Sequence, residues 1–153
     1  MKKLIPILLL LATVTARAEL TWLTDLDEAK KVATKENKKL LVDFTGSDWC
    51  GYCIMLHKEV FATEPFENFA KDYVLVELDF PRKKAQPAAE KSKNQAAAKK
   101  FGVNGYPTVI ILSAAGKELN RQSGYGPGTG PEAYLAKFAD TGKKGKSAAP
   151  AKK

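Results

Sequence analysis

A chain of 153 residues is long enough for one domain with a sizeable core and too short for two. Its formal charge of +8 points toward nucleic acid, but the distribution excludes that class. Three basic residues (Lys2, Lys3, Arg17) precede residue 19 and five (Lys143, Lys144, Lys146, Lys152, Lys153) follow residue 142, which leaves 17 of the 25 against all 17 acids in the formally neutral middle.

Residues 1–18 read as a secretory signal peptide. Met1-Lys2-Lys3 is a basic start, Leu4 to Val14 is apolar apart from Thr13, and Ala16 and Ala18 have the small-x-small spacing of a cleavage site. Cleavage is expected after Ala18. The rival reading is a membrane anchor, but an apolar run of about 11 residues falls short of the roughly 20 that span a bilayer. Export makes the protein periplasmic or secreted and puts its two cysteines in an oxidising compartment.

The domain proper is expected over residues 19–142. Glu19 to Leu23 suits a short strand or an arm. Asp25 with Glu28 has capping-box spacing and opens a helix whose Leu26, Ala29, Val32 and Ala33 share one face. Lys38-Lys39 is expected to close it. Leu40 to Phe44 is apolar except for Asp43, which suits a strand buried on both faces of a parallel sheet. Thr45-Gly46-Ser47-Asp48 is turn chemistry. A helix from Gly51 follows, interrupted near Ala62 and resumed at Thr63 and Pro65 to about Asp72.

Tyr73 to Phe80 is a second buried strand. Residues 81–93 are Lys-, Ala- and Pro-rich without an apolar stripe and read as an exposed insertion, with a helix only from Asn94 to Phe101. Val109 to Leu112 is a third strand. Ala115-Gly116 turns it into an edge strand at Glu118 to Gln122. Gly124 to Gly130 reads as a flexible loop, and Pro131 opens a last helix with Tyr134, Leu135 and Phe138 inward. Residues 143–153 lack core residues and are expected to be a disordered basic tail. Alternating strands and helices followed by a hairpin imply an α/β fold with a mixed sheet.

The chemistry concentrates at Trp49-Cys50-Gly51-Tyr52-Cys53, which holds both cysteines at a spacing that marks a redox pair. A bridge across so short a loop removes little entropy from the unfolded chain, so a stapling role explains it poorly. Cys50, in the first turn of a helix, meets unpaired N–H groups and the helix dipole that favour a thiolate, which makes it the candidate nucleophile. Cys53, one turn in and more shielded, can resolve a mixed disulfide. Asp43, mid-strand, is costly unless it has work or a partner; burial raises its pKa and suits it to take the Cys53 proton. Pro107, after Gly105-Tyr106, is compatible with a cis bond.

Val42-Asp43-Phe44, Trp49 to Cys53, and Gly105-Tyr106-Pro107-Thr108 stand in the order and approximate spacing of the thioredoxin family, and residues 24 to 141 resemble it. The resemblance implies a thioredoxin-like fold, a central mixed sheet flanked by helices. It implies Cys50 as the attacking and Cys53 as the resolving thiol, Asp43 as the buried carboxylate, and a cis Pro107 facing the pair. It further implies that the Tyr106 backbone pairs with a bound substrate strand and that Trp49 packs beside the site. Thioredoxins proper have Cys-Gly-Pro-Cys-Lys; here Tyr52 and Ile54 replace the proline and the lysine. Gly51 and Tyr52 are thus the residues expected to tune the redox potential, and the direction of electron flow stays open. Phe44 to Cys50 and Asp79 to Arg82 resemble secreted bacterial thioredoxin-like proteins.

The expected activity is thiol–disulfide exchange with protein thiols and disulfides, by a monomer, with a membrane electron donor or acceptor and without a cofactor. The rival is a thioredoxin-like binding module or chaperone-type protein whose cysteines are structural or metal-binding. His57 with the two cysteines would give only three metal ligands, one short of a structural zinc site, so no metal is expected. Haem attachment would need His after the second cysteine, where Ile54 stands.

Overall fold

The computed structural model describes residues 20–139. The signal peptide and the basic tail expected from the sequence lie outside these residues. The elements run β1 (Trp22–Leu23), α1 (Leu26–Glu36), β2 (Lys39–Thr45), α2 (Gly51–Leu56), a π-helical turn (His57–Phe61), α3 (Glu64–Ala70), β3 (Tyr73–Asp79), α4 (Ala88–Lys100), β4 (Thr108–Leu112), β5 (Glu118–Ser123) and α5 (Pro131–Ala136). The strands form one sheet in the order β1-β3-β2-β4-β5. β2 pairs parallel with β3 and antiparallel with β4, so the sheet is mixed as expected.

Strand alternation sorts the core into two layers. Leu40, Val42 and Phe44 of β2, with Val74, Val76 and Leu78 of β3, pack against Ala29 and Ala33 of α1 and Ala97 and Ala98 of α4. Leu41 and Leu75 face the other way, onto Leu56, Phe61, Phe66, Tyr134 and Phe138. By the same parity Asp43, Glu77 and Asp79 belong to this second face, beneath α2. Trp22 extends that layer by stacking on Phe66, with centroids 6.0 Å apart and planes 8° apart. Each such ring taken out of water contributes about 2–3 kcal/mol.

Two boundaries and one loop differ from expectation. Asp25 caps α1, accepting from the N–H groups of Asp27 and Glu28 at 2.8 and 3.1 Å. The helix is closed not by Lys38-Lys39 but by Asn37, at φ 52°, a left-handed cap that Asn tolerates; Lys39 is already strand. The insertion expected over 81–93 is half helix. α4 begins at Ala88 and is Ala- and Lys-rich, so propensity supports it. Its buried residues are only Asn94, Ala97 and Ala98, too small and too polar to show as a stripe. The loop from Gly124 is held rather than free. The Tyr125 hydroxyl donates to Glu59 at 2.5 Å and the Gly128 N–H to the same carboxylate at 3.1 Å. The break near Ala62 is a widened turn, in which the Ala62 N–H donates to the His57 carbonyl five residues back, followed by the α3 cap at Thr63.

Candidate redox site

The loop from Thr45 to Cys50 is built from its own residues. The Gly46 carbonyl accepts from the N–H groups of Trp49 and Cys50 at 3.2 and 2.8 Å. A side chain at position 46 would meet the Trp49 indole at 2.6 Å, so only glycine fits. The loop is then stitched to the end of β3. Trp49 Nε1 donates to the Phe80 carbonyl at 2.8 Å. The Ser47 N–H and hydroxyl both donate to Asp79, at 2.9 and 2.6 Å. The Asp48 carboxylate accepts from the backbone N–H groups of Arg82, Lys83 and Lys84 at 3.0, 2.8 and 2.9 Å.

This frame sets Cys50 as the N-cap of α2, where its Sγ accepts from the Cys53 N–H at 3.2 Å. Cys50 and Cys53 are joined by a disulfide, with Cα atoms 5.2 Å apart. Cys53 is not the distinctly more shielded of the two: exposures of 6% and 4% bury them alike. Gly51 and Tyr52, between them, are exposed, Tyr52 by 54%.

Asp43 lies in the sheet layer beneath this helix. It is 5% exposed, and its Oδ1 has no hydrogen-bond partner among the described residues. Burial first, then the charges of Glu77 and Asp79, push its pKa well above the usual carboxylate range. Glu77 is its direct partner across the parallel ladder. Burial also raises the Glu77 pKa, with Asp79 adding to the rise and His57 and Lys84 opposing it. Asp79 goes the other way. Burial alone would raise its pKa, but the two Ser47 donors and Lys84 more than offset it. A cleft of about 340 Å³ joins these groups to the pair, lined by Asp43, Cys53, His57, Lys58 and Glu77 among others. A carboxylate that holds protons readily, opening onto the same cleft as Cys53, can exchange a proton with it.

On the other side, the Tyr106–Pro107 peptide bond is cis, and Pro107 is buried at the start of β4. Tyr106 meets Trp49 edge-on at 6.0 Å and Phe80 at 4.9 Å. Trp49 and Tyr106 therefore form one aromatic strip beside Cys50. The site residues read from the sequence thus gather at one end of the sheet.

Glu77 was not singled out by the sequence, although an acid stands inside its β-branched run at a position that can share Asp43's face. His57, exposed, lies at the rim of the cleft. Among the described residues no group of three or more His, Cys, Asp or Glu side chains is placed to hold a metal ion.

A short-spaced disulfide at a helix N-cap, a buried carboxylate behind it and a cis proline at its flank define a thiol–disulfide oxidoreductase on a thioredoxin-like fold. Residues 26–139 match the family described as "Thioredoxin-like domain", and the chain belongs to it. It is 37% identical over 123 residues, 80% of this chain and 72% of the other, to "Disulfide bond reductase DsbH" of Chlamydia pneumoniae. The solved structure "DsbH Oxidoreductase" superposes with a TM-score of 0.73 at 34% identity, covering 81% of this chain and 85% of that one. A part of "Thiol:disulfide interchange protein DsbD" of Actinobacillus pleuropneumoniae, 15% of its length, is 28% identical over 65% of this chain.

Proposed function

We propose that this protein works outside the cytoplasm as a reductant of protein disulfides, with Cys50 attacking and Cys53 resolving. The observation that carries Cys50 as the attacking thiol is its place at the N-cap of α2, its sulfur already receiving a backbone N–H. A thiolate there gains from that donor and from the helix terminus. The Cys50 thiolate attacks one sulfur of a substrate disulfide. A mixed disulfide forms and one substrate thiolate leaves. Cys53 then gives its proton to Asp43 and attacks Cys50 Sγ. The second substrate thiolate leaves, and the protein disulfide seen here is the product. Two electrons have passed to the substrate, so each cycle needs a reductant to restore the pair, which for an exported protein is a membrane electron donor. Trp49, Tyr106 and the cis Pro107 hold the substrate strand, and Gly51 and Tyr52 tune the potential. The protein acts as a monomer. The leader expected from the sequence at residues 1–18 supports the location, and sequencing the mature N-terminus tests it.

The test of the chemistry is insulin reduction. Cys50→Ser abolishes it, and Cys53→Ser accumulates mixed disulfides. Full activity in Cys50→Ser refutes the assignment. The direction is read from the reduction potential. A value toward about −270 mV fits a reductant, and one near about −120 mV reverses the proposal.

A further inference from the structure

Arg82 is not needed to build the site, yet the site holds it in place. Its guanidinium carbon stands 3.5 Å from the centroid of the Trp49 ring. At that separation the planar group lies flat on the indole, with its N–H donors directed outward in their own plane. Both halves of this stack are fixed from behind. Trp49 is held by its bond to the Phe80 carbonyl, and the turn that carries Arg82 is held by three backbone N–H groups on Asp48.

No acid among the described residues pairs with Arg82. Asp48 is occupied by backbone donors, and Asp79 by Ser47 and Lys84. Arg82 and its neighbour Lys83 are exposed. The charge also reaches the aromatic strip: burial raises the Tyr106 pKa, and Arg82 pulls it back. A positive, pre-oriented fork therefore stands over the face of Trp49, the residue before Cys50, with no acid among the described residues to bind.

We propose that Arg82 is a specificity residue that receives a carboxylate side chain of the substrate polypeptide, so that disulfides flanked by Asp or Glu are preferred. This rests on the reading that substrate lies along Trp49 and Tyr106. A guanidinium stacked on one face keeps the donor geometry that a carboxylate takes two at a time. Because its rotamer is already set, less side-chain entropy is lost on binding than for a free arginine.

The experiment uses the full mature chain with dithiothreitol as the reductant. Its substrates are two disulfide-bonded peptides, identical except for Glu or Gln at the positions beside one cysteine. The wild-type protein prefers the Glu peptide by about fivefold in kcat/KM at low ionic strength, carried by KM, and the preference shrinks at about 1 M salt. Arg82→Gln brings the ratio to about one, and Arg82→Glu takes it below one. Damage to the turn would slow both peptides together and leave the ratio intact, so the ratio reports docking. A wild-type ratio of one overturns the proposal. So does a preference that survives in Arg82→Gln, whether or not both peptides slow together. Reduction of both peptides without preference removes only this inference. Turnover that persists in Cys50→Ser removes the reading beneath it as well.

Discussion

Replacing Asp43 by Asn tests the electrostatics behind the cysteines through stability alone. Asp43 is 5% exposed, its Oδ1 is unpartnered, and Glu77 stands directly across the parallel ladder. Its pKa is raised in the folded state, by burial first. The folded protein therefore holds a proton that the unfolded chain has released, and stability falls as pH climbs from the unfolded value, about 3.9, through the raised folded value. Below the unfolded value the penalty is absent; above the folded value it is complete. Asn keeps the shape and removes the charge. An unsatisfied buried polar group costs about 1–3 kcal/mol, and a charged one more. The neutral amide retains the polar part of that cost and loses the charged part. Asp43→Asn is therefore within about 1 kcal/mol of wild type near about pH 3.5 and more stable by about 1–3 kcal/mol near about pH 9. Urea unfolding of the oxidised protein measures both, with cysteine titration silenced and unchanged slopes confirming that the folded state is intact. The double variant with Glu77→Gln isolates the coupling between the two acids. Equal differences at the two pH values would refute the reasoning, as would a wild type that gains stability relative to the variant on going alkaline.

Two further outcomes follow from the packing and the caps. Phe66, fully buried between Trp22 and Phe61, loses about 3–5 kcal/mol on change to Ala, read as a lower guanidinium midpoint. Asp25→Ala removes the cap of α1 and the ion pair with Lys93 and costs about 1 kcal/mol at neutral pH. Lys93 and the helix N–H groups lower the Asp25 pKa to about 2, so this contribution is present above the unfolded value and disappears as pH falls through about 2. Thermal melts of both proteins across that range should converge.

The buried strands were legible because β2 and β3 carry apolar runs that do not alternate, each interrupted by a single acid, a pattern that suits a sheet covered on both faces. The cap of α1 was legible because Asp25 bonds locally, within three residues. What the chain concealed depends on contacts distant in sequence. The start of α4 is invisible to periodicity because the helix meets the core through alanines and an amide, with Asn94 Nδ2 donating to the Asp79 carbonyl. The loop from Gly124 has the composition of a free segment, and Glu59, 66 residues before Tyr125, holds it. Glu77 became part of the site only through register. Shifting β3 by one residue against β2 would have turned it to the opposite face and left Asp43 with an aliphatic neighbour.

That register bears on the direction of electron flow. The reduced state of such a pair is favoured by whatever stabilises the Cys50 thiolate, here one backbone N–H and the first turn of a six-residue helix. Three carboxylates of the sheet face beneath oppose it. Asp43 opposes it least while protonated, the form burial favours, and Asp79 is offset by Ser47 and Lys84. Glu77, half-buried, opposes it in its ionised form, which burial and Asp79 disfavour and His57 and Lys84 favour. A negative charge behind the pair disfavours a thiolate and leaves the neutral disulfide untouched, which lowers the potential and makes the dithiol a better donor. Gly51 and Tyr52 add no charge of their own, and nothing lies within 4 Å of a side chain placed at position 51. The proposed reducing direction is thus better grounded in the acids under the helix than in the dipeptide within it. On the proposed assignment it is the ionised form of Asp43 that takes the Cys53 proton, with Glu77 directly across the ladder from it.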